Sequence, residues 1–123
     1  MNGTSLFVDT NILIYLINGN PEIVDSLTGK KLYTSVINEI ELRAFPNLTK
    51  QEENNILELL GDIKILPLSN EVKEVAIQIK KTSKIKLPDA IVAASAFSEN
   101  LPLFTADKDF IAIEQINLLL YDI

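Results

Sequence analysis

Residues 6–17 of the chain read LFVDTNILIYLI, and this stretch joins two different structural patterns. The short apolar run at 6–8 is typical of a buried strand, while the polar residues 9–11 are of types that end strands and cap helices. Residues 12–17 are apolar again and predict a buried helix, which the polar sequence NGNP ends. A strand that leads directly into a helix is the repeating unit of an α/β fold.

The same alternation continues along the rest of the chain. Further strands are predicted at residues 31–35, 63–68, 101–105 and 116–121. Helices are predicted at residues 21–29, 36–45, 49–61, from Ser69 into the polar tail at 80–84, and at 88–97 and 109–114. Strands separated by helices require crossover connections. We therefore expect a single α/β domain over residues 1–123, with a mainly parallel five-stranded sheet and helices on both faces.

The composition excludes several kinds of chemistry. Apolar residues make up 47% of the 123 residues, which is enough to bury a core, and the chain contains no His, Cys or Trp. A histidine base, a cysteine nucleophile, a disulfide framework and a zinc site built on imidazole or thiolate are all excluded. Any catalysis must therefore use oxygen ligands, amines or hydroxyls.

The charge is acidic overall. The net charge is −6, from 17 acidic and 11 basic residues, and Arg43 is the one arginine. This balance argues against nucleic-acid binding unless clustered acids bind cations and reverse the local sign. The first residues lack a basic leader, and the longest apolar run, 12–17, is too short to cross a bilayer. We expect a cytoplasmic protein with no membrane partner.

Four acidic residues occupy unusual positions in this pattern. Asp9 and Asp107 come just after predicted strands, where they would also serve as ordinary cap or turn residues. Asp89 begins the most apolar helix, where it would stabilise the helix dipole. Glu41 falls between apolar residues of the helix at 36–45, so it is expected to turn toward the sheet.

A parallel sheet gathers its functional residues at the carboxyl ends of the strands, so these four acids are expected near one edge. Carboxylates packed together repel unless a cation neutralises them. Oxygen ligands select a hard cation such as Mg²⁺ or Mn²⁺, and a site of this kind suits hydrolysis of a phosphodiester bond.

Four segments carry these acids, namely VDTN at 8–11, Glu41-Leu42, LPDAIVAASA at 87–96 and TADKDF at 105–110. Together, in this order, they resemble the PIN-domain ribonuclease family, in particular the toxins of VapBC toxin–antitoxin pairs. The chain departs from many relatives at Arg43-Ala44, where they carry a glycine after this motif. The departure concerns the neighbouring surface and leaves the four acids in place.

This resemblance implies a Mg²⁺- or Mn²⁺-dependent endoribonuclease that hydrolyses RNA. It implies metal binding and catalysis by Asp9, Glu41, Asp89 and Asp107, with support from Asn11, Thr105 and Asp109. It also implies a homodimer and a small antitoxin protein as partner.

Two other functions remain open at this stage. One is a PIN-like module that binds without catalysis, and the other is a phosphoacceptor receiver domain. A receiver domain needs adjacent acids after the first strand and an acceptor Asp after the third, whereas Asp9 is followed by Thr10-Asn11 and the third strand ends Leu66-Pro67-Leu68-Ser69. The lysines Lys80, Lys81, Lys84 and Lys86 precede Asp89 and are expected either to steer RNA by charge or to form a solvated helix end.

Overall fold

The first strand and helix form as the sequence predicts. The computed structural model describes residues 4–122; residues 1–3, which carry part of the expectation about a leader, and residue 123 lie outside it. Asp9 caps the first helix, with its carboxylate accepting from the Thr10 N–H. The strands are β1 (Ser5–Val8), β2 (Lys31–Ser35), β3 (Lys64–Leu66), β4 (Leu103–Thr105) and β5 (Leu118–Leu120).

The helices lie between these strands. They are α1 (Thr10–Ile17), α2 (Pro21–Leu27), α3 (Val36–Arg43), α4 (Lys50–Gly61), α5 (Asn70–Thr82) and α6 (Leu87–Ser98), followed by a 3₁₀ helix at Lys108–Ala112. The predicted caps of α3, α4 and α5 are present: Ser35, Thr49 and Ser69 each accept from a backbone N–H in the first turn. Among the described residues, no helix is long and apolar enough to span a membrane.

The five strands form one sheet in the order β3-β2-β1-β4-β5, and every pair is parallel. The chain moves outward from β1 to β3 and then returns to the other side of β1. The direction of winding therefore reverses between β1 and β4, which is where α/β folds form their ligand crevice. This order also rules out a receiver domain, whose sheet is ordered 2-1-3-4-5.

The sheet has a hydrophobic core on each face, because successive side chains of a strand point to opposite sides. Phe7 packs in one core with residues of α5 and α6. Leu6 and Val8 pack in the other core with residues of α1, α2 and α4. The predicted α/β fold with helices on both faces is thus confirmed, and the sheet is parallel throughout.

Several element boundaries differ from the prediction. The strand predicted at 101–105 starts two residues later, because the Leu101 N–H donates to the Ala96 carbonyl and closes the end of α6. The strands predicted at 63–68 and 116–121 are likewise shorter. The helix predicted at 109–114 is a 3₁₀ helix at Lys108–Ala112, and Asp107 caps it.

Candidate metal centre

Asp9 lies at the end of β1 with only 7% of its surface exposed. Its Oδ1 accepts from the Thr10 N–H at 2.9 Å and from the Asn38 amide at 2.9 Å. Its Oδ2 accepts from the Thr105 hydroxyl at 2.7 Å and from the Asn11 amide at 3.5 Å. Burial raises the pKa of Asp9 above its ordinary value, and these hydrogen bonds oppose that rise in part.

The groups that surround Asp9 come from the ends of neighbouring elements. Thr105 ends β4, which pairs with β1, so its hydroxyl reaches the Asp9 carboxylate directly. Asn11, in the first turn of α1, accepts from the Ala106 N–H at 3.1 Å and so ties α1 to the loop after β4. We call Asp9, Thr10, Asn11, Asn38 and Thr105 the Asp9 pocket.

Glu41 joins this pocket in a way that the sequence did not predict. The expectation that Glu41 turns toward the sheet is wrong, because the side chain is exposed, as are Ile40 and Phe45. Helix α3 buries Asn38 and Leu42 instead, four residues apart. Glu41 nevertheless points to the site, since its Oε1 accepts from the Thr10 hydroxyl at 2.8 Å.

A second group of acids lies beside the pocket. Carboxylate oxygens of Asp89, Asp107 and Asp109 lie within 4.8 Å of one another, and we call these three residues the acid triad. Asp89 is in the first turn of α6, while Asp107 and Asp109 follow β4. The Asp109 N–H donates to Asp107 Oδ1 at 2.9 Å, which holds the turn that carries both residues.

The surroundings of Asp89 shift its titration. Partial burial, followed by the charges of Asp107, Asp9, Glu41 and Asp109, raises the pKa of Asp89 to about 6. The Thr105 hydroxyl connects the pocket to the triad, because it donates to Asp9 and accepts from the Asp107 N–H at 3.0 Å. The four acids predicted from the sequence therefore meet at one edge of the sheet, and Asp109 meets with them.

This donor set fits a hard divalent cation. Oxygens bound to one Mg²⁺ at about 2.1 Å lie roughly 3 Å apart when adjacent and about 4.2 Å apart when opposite. The triad oxygens reach this spacing with a small adjustment of side chains that are partly or fully exposed. The clustered negative charges form a site that a metal ion would neutralise.

Two contributors to the site were missed by the sequence analysis, namely Asn38 and the Thr10 hydroxyl. Asn38 stands three residues after the predicted cap Ser35, at the position of a capping-box partner, and that spacing was the available signal. Nothing local in the sequence indicates that its amide also reaches Asp9.

The lysines before Asp89 have a mixed role. The Lys80 ammonium donates to the Ile85 carbonyl at 2.7 Å, which holds the turn between α5 and α6. Lys81, Lys84 and Lys86 are exposed. Lys80 therefore has a structural role in this turn, while the exposure of the other three is compatible with either expectation.

Known structures share this architecture. A chain of the toxin–antitoxin complex from Klebsiella pneumoniae superposes with a TM-score of 0.80 at 29% identity, covering 96% of this chain and 99% of that one. VapBC-1 from nontypeable Haemophilus influenzae gives 0.80 at 26% identity, with coverage of 94% and 97%. VapBC2 from Rickettsia felis, bound to a promoter DNA fragment, gives 0.81 at 24% identity over 96% and 99%, which shows a shared fold.

The family assignment rests on sequence as well as on fold. None of the curated proteins matches this chain significantly. The family model described as PIN domain matches residues 6–116, a range that holds all four predicted acids. The structural similarity to VapBC complexes agrees with the resemblance found in the motifs. The chain belongs to the PIN domain family.

Proposed function

We propose that this protein is a Mg²⁺- or Mn²⁺-dependent endoribonuclease and the toxin of a toxin–antitoxin pair. The observation that carries the proposal is the meeting of Asp9, Glu41, Asp89 and Asp107 at the crevice between β1 and β4. Acids from four separate segments do not gather there for stability, because their repulsion opposes folding.

In this proposal the acids have different roles, which follow from their burial and hydrogen bonds. Asp9 is the fixed ligand, since both its oxygens are held by donors from three elements. Asp89 and Asp107 are the adjustable ligands, and Glu41 and Asp109 stand at the exposed rim. A bound Mg²⁺ or Mn²⁺ would supply an activated water and neutralise charge on the phosphate oxygens.

The residues around the acids would orient the site and bring the substrate to it. Thr105 and Asn11 hold Asp9 and the turn after β4 in register, since the Thr105 hydroxyl also accepts from the Asp107 N–H at 3.0 Å. Lys81, Lys84 and Lys86 would attract RNA by charge toward Asp89. With one arginine in the chain, we expect recognition of RNA shape more than of bases.

A cleavage assay tests this function. Purified protein is incubated with one structured RNA pool in Mn²⁺ or in EDTA, beside the Asp9→Asn variant in Mn²⁺. We expect cleavage by the unaltered protein in Mn²⁺ alone, with loss in both other lanes. Full activity of Asp9→Asn would contradict the assignment of the site.

If no lane cleaves RNA, thermal melting with and without Mn²⁺ distinguishes a silent nuclease from a binding module. A rise in melting temperature on adding Mn²⁺, lost in Asp9→Asn, would retain the metal site and direct the search to other RNAs. No rise at millimolar Mn²⁺ would favour the module that binds without catalysis.

The proposed partners are an antitoxin and a second copy of the chain. The antitoxin is proposed because the similar chains from Klebsiella pneumoniae and Haemophilus influenzae come from a toxin–antitoxin complex and a VapBC structure.

A homodimer would cover apolar surface, and Leu68, Ile77 and Leu87 are exposed beside one groove between α5 and α6. Light scattering should give twice the chain mass. The proposed location is the cytoplasm, where the protein would encounter its RNA substrate.

A further inference from the structure

Asn38 is a fully buried amide that contacts the acids. It has no exposed surface, although amides are usually found at protein surfaces. Burying an amide without partners would be costly, so each of its groups must be satisfied. Among the described side chains, the buried polar atom that lacks a hydrogen bond is Ser98 Oγ, which is not part of the site. The network around Asn38 is therefore complete.

The orientation of the Asn38 amide is fixed by its neighbours. Its Oδ1 accepts from the Ser35 N–H at 3.1 Å and from the Ser35 hydroxyl at 2.6 Å. A backbone N–H can only donate, so the oxygen must face Ser35 and the nitrogen must face the other way. The two amide hydrogens then point at Asp9 Oδ1, at 2.9 Å, and at Thr10 Oγ1, at 3.0 Å.

Thr10 extends this arrangement to the rim of the site. Its hydroxyl accepts from Asn38 and donates to Glu41 Oε1 at 2.8 Å. One buried amide thus holds one carboxylate directly and a second one through a single hydroxyl. The two carboxylates lie on different segments, 32 positions apart in the numbering from Asp9 to Glu41, and Asn38 bridges them.

We propose that Asn38 is a positioning residue that sets the relative orientation of the Asp9 and Glu41 carboxylates for metal binding. This inference rests on the proposed function and adds a residue outside the acidic set. Asn38 is fully buried and acts through Asp9 and Thr10. Groups that orient metal ligands in this way typically change metal affinity about 10-fold to 100-fold when removed.

The capping role of Asn38 does not by itself account for an amide at this position. To cap α3, the side chain needs only an oxygen that accepts from Ser35, and Glu is a common choice there. A carboxylate would face Asp9 with a second negative charge. Only a side chain that accepts on one side and donates twice on the other serves Ser35, Asp9 and Thr10 together.

The test compares Mn²⁺ affinity, measured by electron paramagnetic resonance, in the unaltered protein and in two variants, all below their melting temperatures. Asn38→Leu keeps the approximate volume and removes both donors, and we expect the dissociation constant to rise about 10-fold to 100-fold. Thr10→Val removes the hydroxyl that accepts from Asn38 and donates to Glu41, but it leaves the Asn38 contact with Asp9 in place. We expect this variant to raise the dissociation constant about threefold to tenfold.

Thr34→Val is the matched control. Thr34 is equally buried, lies in the same strand as Ser35, and donates to the Val8 carbonyl at 2.8 Å without contacting an acid. We expect this variant to lose stability and to keep the Mn²⁺ affinity of the unaltered protein. A loss of affinity equal to that of Asn38→Leu would show that general loosening is responsible and would overturn the proposal.

The remaining outcomes are also decisive. A folded Asn38→Leu protein that binds Mn²⁺ within twofold of the unaltered protein would overturn the role of Asn38 while leaving the nuclease intact. If Asn38→Leu does not fold, Thr10→Val decides, and unchanged affinity there would overturn the connection between the two carboxylates. An unaltered protein that binds no Mn²⁺ would overturn the proposed function itself, and the positioning role with it.

Discussion

The Asp9 pocket and the acid triad meet at one site but are built in opposite ways. Asp9 is 7% exposed and accepts four hydrogen bonds from three elements, so its orientation is set before any ligand arrives. The triad is partly exposed, and among the described residues its carboxylates accept one hydrogen bond, from the Asp109 N–H to Asp107. One half of the site is preorganised, and the other half gathers charge that a cation must balance.

The largest expected effect is on catalysis, and it falls on both halves equally. Asp9→Asn and Asp89→Asn should each reduce RNA cleavage in Mn²⁺ by about 100-fold or more, because each removes a charged ligand. Initial rates on one RNA substrate measure this. Glu52→Gln is the control, since Glu52 lies on α4 and caps that helix. If either variant kept more than a tenth of the activity, its residue would not be a ligand.

The same two substitutions should have opposite effects on the stability of the metal-free protein. Asp9→Asn places an NH₂ group against donors and should lower the free energy of unfolding by about 1 to 2 kcal/mol. Asp89→Asn removes a charge that four other acids oppose, and should raise stability by about 1 kcal/mol after allowance for solvent screening. Urea denaturation in EDTA measures both. Equal shifts of the same sign would contradict the contrast.

The pH dependence of stability gives a third comparison. The pKa of Asp89 is about 6 in the folded protein against 3.8 ordinarily, so the native state holds its proton more tightly than the unfolded state does. Stability of the metal-free protein should therefore fall as pH rises from about 4 to about 6, by about 1 kcal/mol for this partly exposed group. Asp9, whose pKa is also raised, adds to the fall.

Two changes should alter this pH dependence of stability, and both can be checked in the same denaturation series. Asp89→Asn should flatten the profile between pH 4 and pH 6, leaving the part due to Asp9. Saturating Mn²⁺ should reverse it, since a cation binds the ionised carboxylates and stabilises the folded state more as they deprotonate. A metal-free profile that rises across this window would show that the acids are not crowded.

Part of the fold and of the site could be predicted from the sequence, and part could not. The first strand and the helix caps were predictable, because the apolar run Leu6-Phe7-Val8 and cap residues such as Ser35 act through local patterns. The convergence of Asp9 with Asp107 followed from the rule that parallel strands end at one edge. The position of Asn38 was not predictable, because an amide three residues after a cap looks the same whether or not a carboxylate lies across from it.

Glu41 shows most clearly where prediction from helical periodicity fails. Its helical position among Ile37, Ile40 and Phe45 predicted burial, since periodicity assumes that apolar residues define the buried face. In the structure Ile40 is 57% exposed and Phe45 is 48% exposed, while Asn38 is buried. The face of α3 that turns inward carries Leu42 and the hydrogen-bonded Asn38, and composition alone carries no sign of that.

The smallest expected effect concerns Asp109, the most exposed member of the triad. It is exposed, and its charge contributes least to raising the pKa of Asp89. Asp109→Asn should therefore reduce cleavage only about twofold to fivefold and weaken Mn²⁺ binding to a similar degree, while Asp107→Asn has a much larger effect. Titration of activity against Mn²⁺ measures this, with Asp122→Asn, an exposed acid at the chain's end, as the control. A loss as large as that of Asp89→Asn would make Asp109 a full ligand and move the metal outward from Asp9.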